Sequence, residues 1–134
     1  MTFCSSVLPW RSCGSKYPWV GQRHADKTAE AVGAISRTTA PGLVWGGDWN
    51  HALSGREYSG SAAGRAHIVT ALDELGLMVP TSDLPHRIDG LLSIDHIAVH
   101  KNLGVAAADR IAAVDGATHL SDHDAYVVEL VPTG

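Results

Sequence analysis

The sequence predicts a single layered domain of mixed α/β class. Apolar runs with the length of strands alternate with two segments whose apolar residues recur at helical spacing. Hydrophobic residues make up 45% of the 134 residues and charged residues 18%, a composition typical of a packed globular core. A chain of this length is one domain of ordinary size or part of a larger one.

The first half of the chain is predicted to alternate strand, helix and strand. Residues 2–8 read as a short strand, which a proline stops, and residues 22–39 as a helix. Four apolar residues of that helix share one face at spacings of three and four, namely Ala25, Ala29, Val32 and Ile35. Residues 43–45 form a short apolar strand that leads into two glycines.

The second half contains one further helix and several strands. Residues 51–64 are rich in Gly, Ser and Ala and are predicted to be a loop, before a helix over residues 65–75. Strands are predicted at residues 77–79, 92–100 and 125–131. Residues 81–90 are predicted to be loop, and residues 104–111 fit either a strand or a helix.

The charge pattern does not indicate a nucleic-acid footprint. The formal net charge is −4 with histidines neutral, and the ten Lys and Arg residues are scattered. A protein that binds nucleic acid by neutralising many phosphates is expected to cluster its basic residues. An acidic site can still bind a phosphate through a divalent cation, so a phosphate substrate stays open.

The cysteines and the termini suggest an ordinary intracellular chain. Cys4 and Cys13 are too few for a disulfide framework, and we expect two free thiols. The first residues lack the pattern of a signal peptide, and no segment approaches the ~20 apolar residues of a membrane helix. We therefore expect a cytoplasmic protein without a membrane segment.

The first candidate motif for chemistry follows the strand over residues 43–45. Asp48 and Asn50 lie two positions apart, so an extended backbone would direct both to one side. A carboxylate can orient a water or a metal ion, and an amide can donate to a phosphoryl oxygen. His51, the next residue, is a candidate for the substrate loop. The alternative is a simple turn that closes the strand.

Two further motifs lie near the end of the chain. Asp95 sits in an apolar strand, where a carboxylate is costly unless paired, and its neighbour His96 points to the opposite face. Asp122 is a candidate ligand for a hard divalent cation. His123 is a candidate general base or phosphate contact that Asp95 could orient. The alternatives are an exposed edge-strand aspartate and a solvated loop.

The remaining histidines have no spacing that suggests metal binding, and we expect them at surface or packing positions. They are His24, His67, His86, His100 and His119.

The three motifs in their order resemble the endonuclease/exonuclease/phosphatase superfamily, the DNase I-like group of Mg²⁺-dependent phosphodiesterases and phosphatases. They are Gly47-Asp48-Trp49-Asn50, Ile94-Asp95-His96 and Ser121-Asp122-His123. The resemblance implies a four-layer α/β sandwich with two mixed sheets flanked by helices. It also implies hydrolysis of a phosphate ester by an activated water, with Mg²⁺ or Mn²⁺ as the cofactor.

The resemblance assigns roles to five residues. Asp48 would orient the attacking water and help to hold the metal, and Asn50 would contact the phosphate. Asp122 would be a metal ligand. Asp95 would pair with His123, which would contact the scissile phosphate. The substrate would be a phosphate ester of a nucleic acid, a lipid or a small molecule.

The chain also departs from the family pattern. A family domain is about twice as long, at the upper end of single-domain size. Its first half supplies an Asn and a metal-binding Glu that have no match here. We therefore expect residues 1–134 to be a single, N-terminally truncated domain that is weak or inactive alone. The alternative is a non-catalytic fragment or a half-domain that binds a partner.

Overall fold

The computed structural model describes residues 1–38 and 40–131, which form a mixed α/β fold with two helices and eight strands. In chain order the elements are β1 (Thr2–Ser5), α1 (His24–Ser36), β2 (Leu43–Asp48), α2 (Ala62–Glu74), β3 (Leu77–Met78), β4 (Asp95–His100), β5 (Val105–Ile111), β6 (Val114–Asp115), β7 (Thr118–His119) and β8 (Ala125–Leu130). The predicted α/β class is confirmed at this level.

The strands form one mixed sheet and two small antiparallel pairs. The main sheet has the order β1-β2-β4-β3, with β1 parallel to β2 and the other two pairings antiparallel. Strands β5 and β8 form a second sheet, and β6 and β7 form a short hairpin. The segment over residues 104–111, which the sequence left open between strand and helix, is thus a strand.

The core lies between the two helices and one face of the main sheet. Its buried residues come from α1, α2, the main sheet and the segments beside it, namely Leu8, Val32, Ile35, Leu43, Trp45, Trp49, Ile68, Ala71, Leu72, Leu77 and Ala98. Trp45 and Trp49 pack ring to ring, with centroids 4.1 Å apart, and both are fully buried. Two large aromatic side chains of this kind contribute much of the apolar area that the core removes from water.

Both helices differ from the predicted ranges at their ends. Helix α1 begins at His24 and ends at Ser36, while Thr39, the predicted end, lies outside the described residues. Helix α2 begins at Ala62 rather than residue 65, because Ser61 caps it by accepting the Gly64 N–H at 3.0 Å. The predicted loop over residues 51–64 is therefore wrong at its last three positions.

Several strands also differ from prediction in length. Strand β1 ends at Ser5, three residues before the predicted end. Strand β2 continues to Asp48, because residues 44–48 pair with β4. Strand β4 begins at Asp95 rather than residue 92. The two motifs that contain Asp48 and Asp95 therefore meet at the adjoining ends of two paired strands.

Among the residues that the structure describes, no helix is both long and apolar enough to cross a membrane. Cys4 and Cys13 are both free thiols, as predicted.

Candidate functional site

Asp48 and Asp95 lie directly opposite each other in the antiparallel pair of β2 and β4. Asp48 is the last residue of its strand and Asp95 is the first of its own, so both carboxylates stand at one end of the sheet. Like charges directly opposite each other destabilise a sheet pair. The arrangement therefore requires a positive charge close to both side chains.

His123 supplies part of that charge from the loop before β8. Its Nδ1 lies 2.8 Å from the Oδ2 atom of Asp95, and its Nε2 lies 3.9 Å from the Oδ2 atom of Asp48. A carboxylate can only accept a hydrogen bond, so Nδ1–H donates to Asp95. The structure thus brings together Asp95 and His123, as the sequence predicted, and places the second imidazole nitrogen towards Asp48.

The electrostatics of the pair favour a charged imidazole. Burial alone would lower the pKa of His123, but the hydrogen bond and negative charge of Asp95 outweigh it, and the pKa is raised. Burial raises the pKa of Asp95, and the hydrogen bond from His123 offsets part of that effect. The negative charges of Asp48 and Asp122 act on both groups in the same direction.

The donor atoms of Asp48, Asp95 and His123 are close enough to hold one metal ion. One ligand atom from each residue lies within 4.8 Å of the others. The two carboxylates suit a hard divalent cation such as Mg²⁺ or Mn²⁺, which prefers oxygen ligands. The two opposed carboxylates fit such an ion, and His123 can add a ligand only through Nε2 of its neutral form, because Nδ1–H is donated to Asp95. Asp122 is exposed and lies outside this group of three.

Asn50 is held in a tight turn and not in the extended backbone that the sequence reasoning assumed. Its φ is 52°, in the left-handed region that only a small share of non-glycine residues adopt. Its backbone N–H donates to Asp48 Oδ1 at 3.0 Å, and its Nδ2 donates to the Leu8 carbonyl at 3.0 Å. Its Oδ1 accepts the Ser59 hydroxyl at 3.1 Å. Asn50 therefore orients Asp48 through its backbone.

His51 does not line the site as the sequence suggested. Its side chain is fully buried, and its Nδ1–H donates to the Trp49 carbonyl at 2.6 Å. The ring packs against His24 with centroids 5.1 Å apart. Burial lowers the pKa of His51. His51 belongs to the core beneath the Asn50 turn and is not a substrate-loop residue.

Sequence reasoning missed two side chains beside the carboxylates. Tyr126 and Asp124 line the cleft of about 280 Å³ that Asp48 and Asp95 also line. The Tyr126 hydroxyl donates to the Pro85 carbonyl at 2.9 Å, and burial raises its pKa. Asp124 accepts the Ala113 N–H at 2.9 Å and lies 3.6 Å from Arg110. Asp124 directly follows the Ser121-Asp122-His123 motif and Tyr126 lies two residues further on, positions that could have suggested them.

Comparison with models of known protein families gives no match for this chain. Comparison with curated protein sequences gives no match either.

Proposed function

We propose that this chain carries part of an Mg²⁺- or Mn²⁺-dependent phosphoesterase centre of the endonuclease/exonuclease/phosphatase kind. It would hydrolyse a phosphate ester by means of an activated water. The observation that carries the proposal is the position of His123 between Asp48 and Asp95, at 3.9 Å and 2.8 Å, where the two carboxylates face each other. The order of the three sequence motifs gives independent support.

The charge of the site supports a cation over direct binding of an anion. Asp48 and Asp95 lie beside one imidazole and Asp122 adds a further negative charge, so the site carries excess negative charge even when His123 is protonated. A phosphate would be repelled by these groups without a compensating ion. When bound, the cation supplies positive charge that stabilises the charge developing on phosphoryl oxygens.

The protein groups divide the remaining tasks in the proposal. Asp48 Oδ1 is engaged by the Asn50 N–H, which leaves Oδ2 available to a water or to the metal ion. The Asp95 hydrogen bond fixes the His123 ring, so its Nε2–H can donate to a phosphoryl oxygen. Asp95 acts as the partner that orients the imidazole and stabilises its charged form.

The layer order of the fold is compatible with this proposal. The helices cover one face of the main sheet, and β8 lies against the other face through Val128 and Leu130. We propose that helices, main sheet and second sheet correspond to three of the four layers of a DNase I-like sandwich. The substrate in this proposal is a phosphate ester, whether of nucleic acid, lipid or small molecule.

The experiment is hydrolysis of bis(p-nitrophenyl) phosphate by the whole chain with Mg²⁺ or Mn²⁺. We expect slow release of p-nitrophenol that EDTA abolishes and that Asp48→Asn removes. Asp109→Asn is the matched control, because Asp109 is an exposed aspartate on β5 that is not a member of the cluster. Hydrolysis that survives EDTA and Asp48→Asn would contradict the proposal.

A second candidate function is a half-domain that binds a partner through an apolar groove. The groove, of about 440 Å³, lies between the main sheet and β8, and its apolar lining includes Phe3, Val44, Ile97, Val99, Val128 and Leu130. Phe3 is 74% exposed on β1, which is an edge strand. An exposed edge with an apolar face can accept another strand.

Sedimentation of the purified chain separates this candidate from a self-sufficient monomer. If the groove binds another polypeptide, a second copy is the partner present in a pure sample, and Phe3→Glu should reduce its association. Tyr17→Glu serves as control, because Tyr17 is also exposed but does not line the groove. A monomer at all concentrations, with hydrolysis intact, would count against the half-domain.

A further inference from the structure

Two adjacent residues of strand β4 point to opposite faces of the sheet, one towards the site and one into the core. Asp95 directs its carboxylate to the cluster, while the adjacent residue His96 is only 1% exposed and points into the core. Its ring packs against Trp49 with centroids 5.1 Å apart. A histidine buried to this degree must satisfy two ring nitrogens in a place where an apolar side chain would need no partner.

The hydrogen bonds of His96 lead to the turn that contains Asn50. Its Nε2 lies 2.9 Å from the His51 carbonyl oxygen, so Nε2–H donates to that oxygen. The Thr81 hydroxyl lies 3.4 Å from Nδ1, and the same Thr81 oxygen accepts the Ile97 N–H at 3.0 Å. These contacts fix the imidazole in the tautomer that carries its proton on Nε2.

His51 continues the connection within the turn. Its own Nδ1–H donates to the Trp49 carbonyl at 2.6 Å. The two imidazoles therefore bind the carbonyl groups on either side of Asn50, whose φ is 52°. Buried N–H donors of His51 and His96 thus bind the carbonyl groups on both sides of this unusual backbone conformation.

The His51 ring occupies space that is free because Gly60 and Gly64 have no side chains. A Cβ atom built on Gly60 or Gly64 would lie 2.5 Å or 2.4 Å from its Nε2. Among the described residues, that nitrogen has no hydrogen-bond partner. Burying an unsatisfied nitrogen is unfavourable, so packing alone does not account for an imidazole here. The hydrogen bond from His51 Nδ1–H to the Trp49 carbonyl accounts for the imidazole at this position.

We propose that His51 and His96 are positioning residues that hold the Asn50 turn and thereby aim the carboxylate of Asp48 at the cation. The Asn50 N–H, which donates to Asp48 Oδ1 at 3.0 Å, transmits the effect. The role of Asp48 at the cation rests on the proposed function. The hydrogen bonds of the two imidazoles to the turn do not rest on the proposed function, because they are contacts within the fold.

The test compares three variants by hydrogen exchange and Mn²⁺ binding. His96→Phe keeps a ring beside Trp49 but lacks the donor, and His96→Gln keeps an N–H at the end of its side chain. Val99→Ala is the matched control, because Val99 is 1% exposed on the same strand and makes a cavity when truncated. All three are expected to lower the melting temperature.

The Asn50 amide should distinguish a positioning role from a structural one. His96→Phe should accelerate its exchange beyond the general change at core amides, and His96→Gln should restore much of the protection. Mn²⁺ affinity should fall by about 10-fold or more in His96→Phe, the range for partners of metal ligands. Val99→Ala should leave both properties near wild type. Equal effects of His96→Phe and Val99→Ala on Asn50 would overturn the proposal.

Two further outcomes keep the test decisive. If His96→Phe does not fold, Thr81→Val replaces it. This substitution removes the hydroxyl that orients His96 and that also accepts the Ile97 N–H, and it should raise Asn50 exchange in the same direction. If the wild type binds no Mn²⁺, the proposed function fails while the exchange comparison still decides the role of the imidazoles. Unchanged Asn50 exchange in Thr81→Val would then contradict that role.

Discussion

The Nδ1 atom of His123 lies 2.8 Å from Asp95 Oδ2. An imidazole from the loop before β8 therefore donates a hydrogen bond to a carboxylate at the start of β4. The contact joins two motifs that lie far apart in the chain. It also fixes the ring so that Nε2 faces Asp48 at 3.9 Å. The geometry makes the protonation state of His123 depend on Asp95.

Replacing Asp95 should therefore change the titration of His123. In Asp95→Asn the hydrogen bond to a charged acceptor is lost, and the pKa of His123 should fall, because the hydrogen bond and charge of Asp95 no longer oppose the lowering by burial. The measurement is an NMR titration of the imidazole Cε1–H. Exposed His67 provides the reference signal in the same sample. An unchanged pKa for His123 would show that the contact does not form in solution.

Paramagnetic Mn²⁺ should broaden NMR signals around the cluster. We expect the strongest effects at Asp48, Asp95 and His123, whose donor atoms lie within 4.8 Å of one another. Asp48→Asn should weaken binding, since it removes one of two carboxylates, whereas Asp109→Asn should not. Broadening centred on other acidic residues, with the cluster unaffected, would contradict the assignment.

The stability of the fold should decline in mild acid because of His96. Burial lowers its pKa to about 4, whereas an imidazole in the unfolded chain titrates near 6.5. Because the unfolded chain takes up the proton first, this contribution is present above pH 6.5 and is lost as the pH falls towards 4. The difference corresponds to about 3 kcal/mol.

Urea unfolding at several pH values checks this expectation. The free energy of unfolding of the wild type should fall more steeply with decreasing pH than that of His96→Gln, which has no group to titrate there. His67→Gln, an exposed substitution on α2, should follow the wild type. Parallel curves for the wild type and His96→Gln would be inconsistent with a buried neutral imidazole.

Two glycine-to-alanine substitutions in helices should have opposite effects. Alanine usually stabilises a helix interior by about 0.5–1 kcal/mol relative to glycine. In Gly64→Ala, however, the new Cβ would lie 2.4 Å from His51 Nε2, and we expect a loss of about 1–3 kcal/mol from overpacking. In Gly33→Ala the nearest atom is 3.8 Å away, at the end of Arg37, so the usual gain should appear.

Thermal unfolding of these two variants measures the packing of His51 directly. A stabilised Gly64→Ala would mean that the His51 ring does not lie over the first turn of α2.

The sequence predicted for a physical reason that Asp95 needs a charged partner other than His96, and the family resemblance implied that His123 is that partner. An ionised carboxylate within an apolar strand needs a partner, and the alternation of side chains in a strand excluded its neighbour His96. It did not predict that Asp48 and Asp95 are register partners. Register between β2 and β4 depends on contacts along both strands, and no local pattern specifies it.

The Asn50 turn lay beyond sequence reasoning for a similar reason. Its left-handed backbone depends on contacts with Leu8 and Ser59, which are remote from the motif itself. The β6–β7 hairpin, in contrast, has a local signal in the sequence. Gly116 is the first residue of the two-residue loop between the paired residues Asp115 and Thr118, a position where glycine is typical of a tight hairpin turn, and its φ is 57°.

The most direct test of the central claim is the rate of cation-dependent hydrolysis of bis(p-nitrophenyl) phosphate by the wild type, His123→Ala and His119→Ala. His119 is an exposed histidine on β7 and so controls for the loss of an imidazole elsewhere. We predict that His123→Ala lowers the rate by about 10²–10⁴-fold, the range for general acid–base groups, while His119→Ala does not. Equal rates for all three proteins would contradict the assignment of His123 to a phosphoesterase centre.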